Sequence, residues 1–101
     1  MYEILKTEIY EKWFAHLKDK KAKALIDIRL ARLKKGNFGD VEPVGEGVSE
    51  LRLHFGAGYR VYFIKKGEIL IILLCGGNKT TQQDDIKKAK QIAKEIKYED
   101  Y

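Results

Sequence analysis

A chain of 101 residues can build one hydrophobic core but is too short for two ordinary domains, so a single domain over residues 1–101 is expected. Its 20 Lys and Arg against 15 Asp and Glu leave a formal charge of +5, a balance that favours a polyanionic partner. The lone cysteine, Cys75, excludes an internal disulfide, and the longest apolar run, Ile69–Cys75, is far shorter than the ~20 residues of a membrane helix. Glu3, Lys6 and Glu8 stand where a secretory segment would be apolar, which points to a cytoplasmic protein.

Tyr2–Lys6 reads as a first short strand. Thr7 is placed to cap a helix, with Glu8 and Glu11 favouring the positive end of its dipole. Ile9, Trp13 and Leu17 form its apolar stripe, widened by Tyr10 and Phe14. Asp19–Lys21 breaks the pattern before a second helix that carries Ala22, Leu25, Ile26, Leu30 and Leu33, and Gly36-Asn37 ends it. Residues 36–47 read as a loop, which is either functional or a bland crossing to the sheet pinned by Phe38 or Val44.

Three strands follow. Over Ser49–Phe55, Leu51, Leu53 and Phe55 face one way and Glu50, Arg52 and His54 the other. Gly56-Ala57-Gly58 turns into Tyr59–Ile64, where Tyr59, Val61 and Phe63 oppose Arg60, Tyr62 and Ile64. A turn at Gly67 leads into Ile69–Cys75, apolar on both faces and so buried from both sides. Thr81 with Asp84 matches a capping pattern, and Ile86, Ala89, Ala93 and Ile96 make the stripe of a last helix whose tail, 97–101, is expected to fray.

Arg52, His54 and Arg60 fall on one face if the strands pair in this way, with Lys79 able to reach the same edge. A guanidinium forks onto two phosphate oxygens, so converging arginines suit an RNA backbone or a phosphorane-like transition state. Each residue also has a plainer role: Arg52 as the solvent face of a strand, His54 as a bystander, Lys79 as a soluble loop residue. Lys87, Lys88, Lys90 and Lys94 form either a solvated helix face or an RNA-facing one. The two histidines and Cys75 have no zinc-ligand spacing.

The segments NFGDVEPVGEGVSELR (37–52), FGAGYRVYF (55–63) and LLCGGNKTTQQDDIKKAK (73–90) resemble the RelE/ParE toxin superfamily of bacterial type II toxin–antitoxin modules. Within it they resemble the HigB-like group, often labelled addiction module killer proteins. The resemblance spans nearly the whole chain and implies an α+β, RelE-like fold of order β-α-α-β-β-β-α. In that fold a helical hairpin packs on one face of a small, mainly antiparallel sheet. It further implies a metal-independent endoribonuclease, acting on mRNA in the ribosomal A site without a cofactor, and a helix-turn-helix antitoxin (HigA-like) as partner. The reaction is attack of a ribose 2′-OH on the adjacent phosphate. Arg60, in the GYR motif, matches the family's phosphate-binding arginine, and Arg52 and Lys79 fall at basic positions of relatives. The resemblance leaves the base open among His54, Asp84 and Asp85, with His54 slightly favoured and Tyr98 and Tyr101 as outside candidates. Lys87 and Lys88 join Arg52, Arg60 and Lys79 as RNA contacts. The ParE branch, which binds and inhibits DNA gyrase without cutting RNA, is the rival reading.

Overall fold

The computed structural model describes residues 1–98; the tail candidate Tyr101 lies outside them, as does the side chain of Tyr98. The elements run β1 (Glu3–Lys6), α1 (Glu8–His16), α2 (Lys20–Lys34), β2 (Val41–Gly45), β3 (Val48–Arg52), β4 (Arg60–Lys66), β5 (Leu70–Gly77) and α3 (Gln82–Tyr98). The strands form one sheet of order β1-β5-β4-β3-β2. All neighbours are antiparallel except β1, which lies parallel to β5.

Each helix begins where a side chain can take up free backbone donors. Thr7 Oγ1 accepts from the Tyr10 amide at 3.1 Å and donates to the Leu74 carbonyl at 2.8 Å, so the cap of α1 also fastens it to β5. Asp19 caps α2 through the Ala22 amide at 3.0 Å. Gly36, at φ 90°, stops α2 and returns its amide to the Leu33 carbonyl. Before α3, Asn78 Oδ1 accepts from the amides of Thr80 and Thr81. The acid bonded to the Thr81 hydroxyl is Asp85, at 2.5 Å, in place of the expected Asp84.

The alternation along the strands sorts two cores onto opposite faces. Leu51, Leu53, Val61, Phe63, Ile71 and Leu73 meet Tyr10, Ile26, Leu30 and Leu33 of the helical pair. Val48, Tyr62, Ile64, Ile72 and Leu74 meet Ala89, Ile92, Ala93 and Ile96 of α3. Strand β5 is therefore buried on both faces, as its unbroken apolar run predicts. Among the described residues no helix is long and apolar enough to cross a membrane.

Two sequence expectations are corrected. Residues 36–47 are not all loop, because Val41–Gly45 pairs with β3 as a fifth strand. Its signal was masked by Pro43, which lacks a ladder donor and is tolerated here because β2 lies at the sheet edge. Glu46 and Gly47 join the two strands with φ of 54° and 80°, the positive values a tight two-residue hairpin requires. The order is thus β-α-α-β-β-β-β-α. Strand β3 also stops at Arg52, so His54 leaves the ladder and stands in the connection to β4.

Candidate functional site

Arg52 and Arg60 end and begin consecutive antiparallel strands, and the register makes them direct Cα partners. Cross-strand partners share a face, here the one α3 covers, so the two guanidiniums are brought side by side. Arg60 folds back, its Nη1 donating to the Gly58 carbonyl at 2.7 Å. Gly58 has a φ of 72°, and a Cβ there would stand 3.1 Å from Lys79 Cβ and 3.3 Å from Arg60 Nη1. Glycine at this turn thus lets Lys79 and Arg60 crowd together. The Lys79 amide donates to the Ala57 carbonyl at 3.2 Å, which ties the loop after β5 to the β3–β4 connection. Lys79 and Arg60 are therefore brought together beside Gly58, with Arg52 across the strand pair and His54 off the ladder.

The arginines do not stand free. Arg52 Nη2 lies 2.5 Å from Glu42, and its Nε lies 3.6 Å from Asp40 and 3.7 Å from Glu50. Arg60 Nε lies 3.5 Å from Glu50 Oε2. Only about a quarter of the Arg52 side chain (25 %) and 11 % of the Arg60 side chain are exposed. Three carboxylates thus face the two arginines, and Asp40 and Glu42 both engage Arg52. Both of those acids come from the segment around β2 that reads as loop in the sequence.

The base candidates separate in space. His54 is 77 % exposed and its Nε2 hydrogen-bonds Asp40 Oδ2, beside Arg52. That bond, with the Arg52 and Arg29 charges, holds the Asp40 carboxyl below the ordinary carboxylate range. Asp85 lies on α3 over Gly77, where a Cβ would overlap its carboxylate. Gly77 is the Cα partner of Arg60, so Asp85 shares the Arg60 face one strand away. Asp84 is exposed. Lys87 and Lys88 are both exposed on α3. Lys88 lines a cleft of about 570 Å³ between α1 and α3, floored by Trp13, Cys75 and Gly76. Lys90 and Lys94 pair with Glu46 at the β2–β3 turn.

Sequence reasoning missed Glu50, Tyr62 and Gln82. Glu50 is 1 % exposed, accepts from the Tyr62 hydroxyl and from Gln82 Nε2 at 2.9 Å each, and lies between the two arginines. Burial pushes the Tyr62 phenol pKa far up, with the bond to Glu50 adding, so it serves as a lasting donor. The available signal was an acid inside a half-buried strand, two residues from an arginine on the same face. Among the described residues no group of three or more His, Cys, Asp or Glu is arranged to hold a metal ion.

A five-stranded mixed sheet with a helical pair on one face and a third helix on the other is the RelE-like α+β architecture. A chain of the crystal structure of the toxin–antitoxin complex RelBE2 from Mycobacterium tuberculosis superposes with a TM-score of 0.61 at 16 % identity, covering 77 % of this chain and 98 % of that one. The sequence profile of the phage-derived Gp49-like proteins (DUF891) matches residues 12–97, and the chain belongs to that family. It is 48 % identical over 94 residues to an uncharacterized protein of Haemophilus influenzae, a match covering 93 % of this chain and 95 % of the relative.

Proposed function

We propose that this protein is the toxin of a type II toxin–antitoxin module, of the HigB-like kind, and acts as a ribosome-dependent mRNA endoribonuclease. The observation that carries this reading is the convergence of Arg60 and Lys79 around Gly58, with Arg52 directly across the strand pair. The RelE-like fold and the likeness to a chain of a toxin–antitoxin complex support it. In this reaction a ribose 2′-oxygen bonds to the adjacent phosphorus while the bond to the 5′-oxygen breaks and that oxygen takes a proton from water, leaving a cyclic phosphate and a 5′-OH. Negative charge grows on the phosphoryl oxygens, and Arg60, Lys79 and Arg52 stabilise it.

His54 takes the 2′-OH proton. The hydrogen bond from its Nε2 to Asp40 orients the ring and leaves Nδ1 for the proton. Asp85, held by the Thr81 hydroxyl and packed on Gly77, keeps the strand end before Lys79 in position. Lys87 and Lys88 meet the flanking RNA backbone. The cationic charge comes from side chains, so this scheme calls on no cofactor. The partner is a helix-turn-helix antitoxin of the HigA-like type.

Inducible expression of the wild type, Arg60→Ala and Arg60→Lys, with primer extension on a translated reporter mRNA, tests the proposal. Growth arrest with discrete in-frame cuts is expected. Cutting should fall about 100-fold in folded Arg60→Ala, the scale of losing one transition-state donor. Arrest with intact mRNA would sink the endoribonuclease and direct attention to a gyrase supercoiling assay.

A further inference from the structure

Glu50 and Arg60 are the charged residues buried among the described residues. A carboxyl group held out of water is costly unless counter-charges and hydrogen bonds surround it. Glu50 has them from three elements. Its Oε2 accepts from the Tyr62 hydroxyl of β4 and from Gln82 Nε2 of α3, at 2.9 Å each, and lies 3.5 Å from Arg60 Nε. Its Oε1 lies 3.7 Å from Arg52 Nε. Both guanidinium Nε atoms are buried without a closer hydrogen bond; Glu50 is the acid facing Arg60 Nε, and Arg52 Nε lies between Glu50 and Asp40 Oδ1 at 3.6 Å.

Arg60 is consequently held at two points: Nε faces Glu50 and Nη1 is tied to the Gly58 carbonyl. Two anchors on different nitrogens restrict how the guanidinium plane can turn. We propose that Glu50 is a positioning residue: it sets the plane of Arg60 and braces Arg52, while Tyr62 and Gln82 fix Glu50 itself. Gln82 is the first residue of α3, so the docking of that helix is built into the geometry of the arginine pair. This inference rests on the endoribonuclease reading for its catalytic consequence, although the hold on Arg60 does not.

Two other roles for Glu50 make different predictions. A general base must reach a ribose hydroxyl, whereas this carboxylate is enclosed and both its oxygens face protein groups. A carboxylate that merely offsets positive charge would weaken phosphate binding, so its removal would tighten RNA binding and raise activity. A positioning carboxylate gives the opposite result for catalysis, because a loosely aimed guanidinium stabilises the transition state poorly even when the site is more cationic.

The test is Glu50→Gln, which matches the size of Glu50 and keeps an acceptor for Tyr62 and Gln82 but lacks the charge that faces the arginines. In wild-type protein the Nε–H of Arg60, assigned by loss in Arg60→Lys, should give a resolved ¹⁵N-correlated resonance protected from solvent exchange. In Glu50→Gln it should exchange at least ~10-fold faster, with kcat for cutting translated mRNA lowered at least ~10-fold and KM unchanged or lower. Tyr62→Phe leaves the carboxylate in place and releases one of its donors, so it should show the same split at smaller amplitude. It also serves as the reporter if Glu50→Gln does not fold. Protection of the Arg60 Nε–H unchanged in the folded variant would overturn the proposal, as would full cutting activity with the resonance lost. Wild-type protein that cuts no mRNA would refute the endoribonuclease, while the exchange measurement would still decide whether Glu50 holds Arg60.

Discussion

Replacing Arg60 by alanine should destabilise the fold through the acid it leaves behind. Removing one partner of a buried ion pair costs about 3–5 kcal/mol, because the other charge stays buried without compensation. Here Glu50 keeps Tyr62, Gln82 and the more distant Arg52, which brings the expected loss down to about 2–3 kcal/mol. For a domain of this size that is a fall in Tm of roughly 10–20 °C. The double variant Arg60→Ala/Glu50→Gln removes the stranded charge while keeping the acceptor for Tyr62 and Gln82. It should recover about 1–2 kcal/mol of the loss and not the rest, since the bond from Arg60 Nη1 to Gly58 is still absent. Urea unfolding followed by the fluorescence of Trp13, the sole tryptophan, measures all four corners of the cycle. A loss below about 0.5 kcal/mol in Arg60→Ala, or a double variant no more stable than the single one, would refute the buried-pair argument.

Two further outcomes follow from the end of β5. A Cβ at Gly76 would overlap the Trp13 ring, with Cδ2 only 2.5 Å away, where an ordinary carbon contact is about 3.5–4.0 Å. Gly76→Ala should therefore push the ring toward the neighbouring cleft, destabilise by about 1–3 kcal/mol and shift Trp13 emission; unchanged emission and Tm would contradict it. Burial, with the Asp85 charge adding, pushes the Cys75 thiol up to about 12 from 9.0. A folded-state pKa above the unfolded one means that this contribution to stability is present below about pH 9 and is lost as pH rises toward 12. Alkylation by iodoacetamide at pH 8 should accordingly be at least ~100-fold slower in native protein than in denaturant, and equal rates would refute the placement.

Much of the architecture could be read directly from residue order. Helix α1 begins at the Thr7 cap as expected, although its buried residue is Tyr10 while Ile9 is exposed and Leu17 lies at the C-cap; the two faces of β4 separate Val61 and Phe63 from Tyr62 and Ile64 as their alternation requires. The apolar run is buried from Ile71 to Cys75, with Leu70 half-buried and Ile69 exposed, and Ala89, Ala93 and Ile96 of α3 do meet the sheet. Strand β2 was not legible, because five residues containing Pro43 and ending in glycine carry no usable alternation. The site was legible by halves: its cations stand out in the strand pattern, whereas the acids that engage them do not.

Periodicity is a local property, so the sequence alone determined where helices and strands form, which face of each is apolar, and that Arg52 and Arg60 can share a face. Pairing register and close contact between distant segments are tertiary properties. Glu50 meets Gln82 across 32 residues of chain, and Asp40 reaches both His54 and Arg52 from the far side of β2. A buried charge is tolerated only where such distant partners arrive together. Composition can name the arginines, but only the folded sheet decides which carboxylates hold them.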